Sequence, residues 1–433
     1  MLLLFGPFFL IDSVLLTPYI PPQLLSALVE AAAGQRLALV GGVVRDLLLH
    51  RHHQDPWRGL PDLDLVVEGR AADLVERLPA ALANQIGRPV AIREQHHGRY
   101  GTAELELALP PECGGTWLID LASARQEVYP RPGANPVVSP GSLEHDLARR
   151  DVTVNAMALV LNPHGAGVGA APELLDPFGG QADLARRQLR FLHPHSLRDD
   201  PTRLLRAARY AARLGFDLAS EALEQARATL RAWPWDWRLG DDPAQAPPAL
   251  ATRLRMELEL LLEREPWPLA LALLQRWGAL ALFDPGLQRD RTWGRRLRWG
   301  ARLGAPPLPV LLAAASDPMA LVRRLQLPHG QQALIARARQ LEQHLPQIPW
   351  PSTPSQWCGQ LEALPGGAHA VALLIALGVQ PRRPLLRWFW CWRHVASPLD
   401  GAALRQRGWP PGPALGAELK RLRAEELDRQ CRP

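Results

Sequence analysis

Lysine is almost missing from this chain. Lys420 stands alone among 49 basic residues in a sequence of 433. No catalytic lysine is therefore available near the front of the chain. The positive charge rests on arginine, whose planar fork suits bidentate contact with phosphate. Cysteine is scarce as well: Cys113, Cys358, Cys391 and Cys431 are scattered, with no metal-type spacing and no disulfide framework. That usage fits a reducing, cytoplasmic location. The apolar start, Met1 to Leu16, is too short for a span and lacks the basic flank of a signal peptide. Residues 1–17 are expected to form a disordered extension, with a hydrophobic anchor as the alternative. No fixed-period repeat is present. No membrane association is expected, and nothing in the sequence points to a protein partner.

What is present sets the class. With 47% hydrophobic residues the chain can bury a sizeable core, and its length suggests several domains or one long multi-lobed helical body. The formal net charge of +6 suits an anionic partner, nucleic acid first among them. Pro22 to Gln35 has helical spacing, Arg36 to Val40 reads as a strand, Val43 to His50 as a helix and His52 to Pro61 as a loop. Ala71 to Asn84 is an amphipathic helix. Val90 to Arg93, Thr102 to Leu109 and Trp117 to Ala122 read as strands, with a turn at His97 to Gly101. This alternation predicts an α+β lobe, a small mixed sheet with helices on one face. From about Leu143 helices dominate, broken at Trp233 to Pro248, Pro306 to Pro309 and Pro346 to Pro354. The late tryptophans Trp388, Trp390 and Trp392 are expected to pack rather than stack on bases.

The chemistry concentrates near the front. Leu39-Val40-Gly41-Gly42-Val43-Val44-Arg45-Asp46 is an apolar strand running into a Gly-Gly turn, and Asp62-Leu63-Asp64 follows on a second strand. Residues i and i+2 of a strand share a side, so Asp62 and Asp64 face one place while Leu63 and Leu65 face the core. Two close carboxylates repel unless a cation lies between them, and a hard cation such as Mg²⁺ suits oxygen ligands while leaving room for phosphate. Glycines at the turn let backbone N–H groups approach a triphosphate with no Cβ in the way. Together these features read as a nucleotidyl-transfer site. Asp120, between apolar neighbours in Trp117 to Leu121, is either hydrogen-bonded locally or joins Asp62 and Asp64 as a third catalytic carboxylate. Arg125 and Glu127 form a candidate structural ion pair.

Three further motifs follow. In Arg149-Arg150-Asp151-Val152-Thr153-Val154-Asn155, the arginines suit a triphosphate or ribose, and Asn155 offers the donor and acceptor that a 2′-hydroxyl needs. The same run also reads as a capped helix start. Asp176 to Leu184 is a turn into a helix that fixes a joint. Asp199-Asp200-Pro201-Thr202-Arg203 opens a Leu/Ala/Arg helix on which Arg206 and Arg209 continue the spacing of Arg203. Asp-Pro is a good cap for such a helix. A carboxylate beside a guanidinium also matches the amino donor and ring acceptor shared by cytosine and adenine. It rejects uracil and guanine, whose carbonyl faces the carboxylate.

As a set, Leu39 to Asp46, Asp62-x-Asp64, Arg149 to Met157, Asp176 to Leu184 and Asp199 to Phe216 resemble the class II tRNA nucleotidyltransferase/poly(A) polymerase family, all in family order across roughly residues 36–262. Arg253-Leu-Arg-Met-Glu-Leu258 resembles the family's Glu-Arg-x-x-x-Glu-Leu segment. This sequence departs from the pattern at Asp199 and Thr252, where the family usually has Glu, and in extra residues from His52 to Gly59. The resemblance implies an α+β fold with a nucleotidyltransferase head over 18–185, a helical neck with the template helix over 186–262, and a helical, tRNA-binding body and tail over 263–433. It implies Asp62 and Asp64 as Mg²⁺ ligands, and Gly41, Gly42 and Arg45 on the triphosphate. Arg150, Asp151 and Asn155 would bind the ribose side, and Asp200 and Arg203 would template the base. The implied reaction adds C and A to the tRNA 3′ end from CTP and ATP, by two-metal, in-line attack of the 3′-hydroxyl with loss of pyrophosphate. Alternatives are a CC-only or A-only enzyme, a poly(A) polymerase, or a non-catalytic RNA-binding protein. Retention of Asp62, Asp64, Asp200 and Arg203 argues against the last.

Overall fold

The structure, a computed structural model, describes residues 19–59, 62–97, 101–163, 171–345, 352–363 and 367–430. The expected N-terminal extension and most of the turn at His97 to Gly101 lie outside these residues. Two compact units divide the chain, Met1–Trp235 and Asp236–Pro433, so the dividing line falls within residues 186–262.

The first unit is α+β. After α1 (Pro22–Ala32) come β1 (Leu37–Val40), α2 (Gly42–His53), β2 (Leu63–Val67), α3 (Ala71–Ile86), β3 (Ala91–His97), β4 (Thr102–Ala108) and β5 (Thr116–Ser123). A hairpin of β6 (Arg125–Val128) and β7 (Val137–Pro140) leads to α4 (Leu143–Ala148), β8 (Ala158–Val160) and β9 (Glu173–Leu175). Seven strands form one sheet in the order β3-β4-β5-β2-β1-β8-β9, in which β2 and β5 are parallel and the other neighbours antiparallel. Strand β1 is buried along its whole length, as its unbroken Leu-Ala-Leu-Val run requires of a central strand covered on both faces. Strand β4 alternates buried Ala103, Leu105 and Leu107 with outward-facing neighbours.

Two local expectations change. β3 extends to His97, well past Arg93, because every residue pairs with β4. Polar Arg93, Glu94 and Gln95 are tolerated because this is the exposed edge of the sheet. The expected helix start at Asp151 is instead a single 3₁₀ turn, Thr153–Asn155, that runs into β8. Tertiary bonds hold the turn. Thr153 N donates to Arg190 O at 3.0 Å, and the Thr153 hydroxyl donates to buried Asp183 on α5 (Gly180–Arg186). Helix α5 starts where Asp176 accepts from the Gly180 and Gln181 amides at 2.7 and 3.0 Å, so the Asp176 turn does fix a joint. Gly180 is obligatory there, since a Cβ would lie 2.5 Å from Thr153 O.

Past β10 (Gln188–Leu189) and α6 (Ser196–Asp199), α7 (Arg203–Leu214) is followed by β11 (Asp217–Leu218), which pairs with β10, and α8 (Ser220–Ala232). The second unit, among the described residues, is helical from α9 (Thr252–Arg264) through to the helix Pro413–Gln430. Trp277 and most of the helix Gly367–Leu377 are buried in its core. Trp388 and Trp392 pack as expected, at 3% and 4% exposure, whereas Trp390 is 50% exposed beside Trp299. Among the described residues no single helix is long and apolar enough to cross a membrane.

One buried side chain ties the start of β1 to the end of β8. Asn162 accepts from Leu37 N and donates to Gln35 O, both at 2.7 Å, and is fully buried. Asn162→Ala leaves a buried amide and a carbonyl unpaired, so equilibrium urea unfolding should show a loss of about 2–4 kcal/mol, from ~1–3 for each orphaned group with partial relaxation.

Candidate active site

Strand register builds the acidic part of the site. Asp64 on β2 lies directly opposite Asp120 on β5, which in turn lies opposite Glu104 on β4. Paired residues on neighbouring strands share a face, so three carboxylates form a row across the sheet. Their neighbours Leu63, Leu65, Ile119 and Leu121 point into the core, at 0–1% exposure. Asp62 falls one residue before β2 rather than within it and is exposed. Asp120 is likewise exposed, not buried among its apolar sequence neighbours, because the sheet turns it to the same side as Asp64. Burial pushes the Asp64 carboxyl above the usual aspartate range. Arg150 opposes that rise, Asp120 and Asp62 add to it, and Arg45 also opposes it. The expected set therefore converges on Asp64. Glu104 was not foreseen, because only the pairing of β4 with β5 brings it into line.

Gly41 closes the site from the other side. It is the residue before α2 and adopts φ 69°. A Cβ here would lie 2.9 Å from Arg150 Nη1 and 3.8 Å from Asp64 Oδ2. The missing side chain thus lets the backbone pass close to a cation and a carboxylate, at the positive end of a 12-residue helix. Neighbouring carboxylates, one of them raised by burial and further by its like-charged neighbours, fit a divalent cation. Among the described residues no three His, Cys, Asp or Glu side chains converge tightly enough to hold a metal alone. A cation bound by one or two of these carboxylates would complete its shell with phosphate oxygens or water.

The arginines are held by carboxylates. Buried Arg45 donates to Asn155 Oδ1 at 2.7 Å and grips Asp46 with two nitrogens at 2.8 and 2.9 Å. Its guanidinium lies 5.9 Å from the Tyr210 ring centre. Arg149 and Arg150 both bind Asp146, a fully buried carboxylate on α4, at 2.7 and 3.0 Å. Asp146 was missed by motif reading, although its spacing of three and four residues from the two arginines is the helical pair signal. Arg125 and Glu127 do pair, at 3.2 Å, and Glu127 also reaches Arg149 at 3.4 Å.

Helix α7 brings the last group. Asp200 is fully buried, and its Oδ1 accepts from the Thr202 amide and hydroxyl at 3.0 and 2.6 Å. Asp200 thus ties the turn ahead of α7 rather than capping a helix from Pro201: α7 begins at Arg203, and the residue before it, Thr202, has no side-chain cap. Asp200 Oδ2 binds Arg206 at 3.3 Å, and Arg206 also binds Asp151. Arg203, 1% exposed, donates to Arg149 O at 2.9 Å. It lines a cavity of about 390 Å³ together with Asp199, Arg149, Glu127, Tyr129 and His193. Arg209 is half-buried one turn beyond Arg206.

The raised Asp64 carboxyl has a cost. Ionising it at neutral pH destabilises the fold. That cost disappears as the pH falls below the usual aspartate value of about 3.9, where the group is protonated folded or unfolded. In metal-free buffer Asp64→Asn should therefore raise the urea midpoint at pH 7, and the gain should shrink toward pH 4. Equal midpoints at pH 7 would show that the carboxylate row is not under electrostatic strain.

Comparison with known proteins agrees with this geometry. The Poly A polymerase head domain matches residues 37–190. The CC-adding tRNA nucleotidyltransferase of Deinococcus radiodurans is 42% identical over 315 residues, covering 71% of this chain and 72% of the relative. The A-adding tRNA nucleotidyltransferase of Aquifex aeolicus is 42% identical over 184 residues, which is 42% of this chain and 19% of that protein. In fold, the chain is similar to a CCA-adding enzyme in an apo form, with a TM-score of 0.68 at 24% identity over 98% of this chain and 96% of that one. It is also similar to the Thermotoga maritima CCA-adding enzyme complexed with tRNA, with a TM-score of 0.62 at 23% identity, over 98% of this chain and 96% of that one. Identity of this extent over most of a relative's length means that the chain belongs to the class II tRNA nucleotidyltransferase/poly(A) polymerase family of nucleotidyltransferases.

Proposed function

We propose that this nucleotidyltransferase adds C and A to the 3′ end of tRNA, using CTP and ATP. The observation that carries the reading is that Asp62, Asp120, Arg150 and Arg45 all act on the charge of Asp64, where the Gly41 backbone passes close to Arg150 and Asp64. Asp62 and Asp64 would hold Mg²⁺ there. When bound, Mg²⁺ supplies charge neutralisation at the triphosphate and activates the attacking hydroxyl. The chain's own groups do the rest. Arg150 and the N-terminal end of α2 place positive charge where phosphates would lie. Arg45, braced by Asp46, fixes the Asn155 amide, so that Asn155 is preorganised toward a ribose hydroxyl. Arg203 is the base-reading donor on the cavity wall, and Asp200 is the carboxylate packed within the same turn. No side-chain nucleophile is required, because the RNA hydroxyl attacks the α-phosphate directly.

A second reading, addition of CC alone, is favoured by the Deinococcus relative, a CC-adding tRNA nucleotidyltransferase at 42% identity. Incorporation of labelled CTP, ATP or both into a tRNA lacking its last three nucleotides, and into one ending in CC, separates the readings. CCA addition extends both acceptors fully. CC addition leaves the second acceptor unextended, and absence of incorporation on either overturns the proposal. Asp62→Ala and Asp64→Ala should each abolish incorporation of both nucleotides while leaving tRNA affinity nearly unchanged in a filter-binding titration.

Base choice is tested on α7. Arg203→Ala should weaken discrimination against UTP by roughly ten- to a hundredfold, corresponding to about 1–3 kcal/mol of lost contact. Asp200→Ser retains an acceptor for the Thr202 amide but removes the charged partner of Arg206. It should relax nucleotide choice too. If Asp200→Ser selects nucleotides as the parent does, Asp200 serves only to tie the turn, with a stability role of about 1 kcal/mol.

A further inference from the structure

We propose that His193 is the positioning residue for Arg203, and that its neutral imidazole aims the guanidinium by accepting a hydrogen bond from it. This rests on the reading of Arg203 as the base-reading group. The geometry of Arg203 carries the argument. Its guanidinium is almost fully buried, yet it is held mainly by neutral acceptors. Nη2 donates to Arg149 O at 2.9 Å, and Nη1 donates to Ser196 O at 3.3 Å and meets His193 Nε2 at 3.5 Å. Nε makes no hydrogen bond and lies 4.0 Å from Asp151 Oδ1. A guanidinium only donates. The His193 contact therefore exists only while Nε2 keeps its lone pair. Protonation replaces it with a donor facing a donor and a cation facing a cation.

The backbone of His193 is fixed. Its amide donates to Ser196 Oγ at 3.1 Å, and its carbonyl accepts from Ser196 N at 3.1 Å and from Gln225 Nε2 on α8 at 2.9 Å. Both His193 and Arg203 line the 390 Å³ cavity. The charged and titratable groups facing the imidazole are Arg203 on α7, Asp199 and His195 on and beside α6, and Glu127, His145 and Arg149 across the cavity. Burial, and then Arg203, hold the imidazole below the usual histidine range, with Asp199 opposing them. The ring is thus neutral at and above neutral pH, in the state that holds Arg203. At lower pH it gains a proton and releases the guanidinium.

The test compares the selectivity for CTP over UTP, as a ratio of kcat/KM values, from pH 5 to pH 8.5 on a tRNA lacking its 3′ end. For the parent chain the ratio should fall about tenfold below an inflection that lies under the ordinary histidine value, the size expected for one lost bond to a charged group. His193→Gln keeps an acceptor that does not titrate, so its ratio should stay high and flat across the range. His193→Phe keeps bulk without an acceptor, so its ratio should be low at every pH, with melting temperatures of both variants checked to confirm folding. A parent ratio without an inflection overturns the proposal, as does an inflection that persists in His193→Gln. If both variants fail to fold, the parent's imidazole followed by NMR decides: titration unchanged by Arg203→Lys overturns the coupling. Absence of CTP incorporation by the parent at pH 8 overturns the underlying reading, and the proposal with it.

Discussion

A single buried carboxylate, Asp146, organises the basic side of this molecule. Taking a carboxylate out of water costs several kcal/mol unless it is paired and hydrogen-bonded. Asp146 meets that requirement with two arginines in succession, Arg149 and Arg150. The pairing fixes both. Arg150 is held beside Gly41 and Asp64, where its charge opposes the rise of the Asp64 carboxyl. Arg149 is held so that its carbonyl accepts from Arg203. The end of α4 thus links the acidic row on the sheet to the helix that carries Arg203. Removal of Asp146 alone would leave two cations competing for the remaining acceptors.

The same economy of placement runs through α7. Asp151 and Asp200 share Arg206, so the 3₁₀ turn after α4 and the start of α7 are bridged by one guanidinium. Asp200 both ties the turn at Thr202 and anchors Arg206. These two roles use different oxygens of one carboxylate, which is why a serine preserves the first and not the second. Arg203, by contrast, meets carbonyls and an imidazole. Its position is set by hydrogen-bond geometry more than by a counter-charge, and so it is sensitive to the state of the imidazole.

Much of the site was legible before any fold was known. Gly41 stands out because a close approach admits no Cβ, and Asp62 and Asp64 because paired carboxylates are the oxygen donors that the proposed hard cation would need. Asp200-Pro201 reads as a helix start, and the helix begins just past it, at Arg203. Other features were hidden for physical reasons. The polar residues Glu94 and Gln95, past the expected strand end at Arg93, gave no strand signal, since edge strands need little apolar content. Asp120 sits among apolar letters that suggest burial, and strand alternation alone did not say which face would be solvent. Glu104 and Asp146 belong to no motif, and each matters through a partner distant in sequence or on the next helical turn.

By itself the sequence determined the chemistry on offer: a glycine turn, paired carboxylates, an arginine-rich helix with acidic residues ahead of it, and the alternation that makes an α+β lobe followed by helices. Residue type and near spacing suffice for these, because local sterics and charge decide them. Only the tertiary structure decided which groups meet. The register of β2 against β5 and β4 places Asp64, Asp120 and Glu104 in one row. The packing of α7 against the α4 end sets Arg203 on Arg149 and beside His193. Those meetings depend on strand pairing and helix packing between residues tens of positions apart, and short-range pattern carries no information about them.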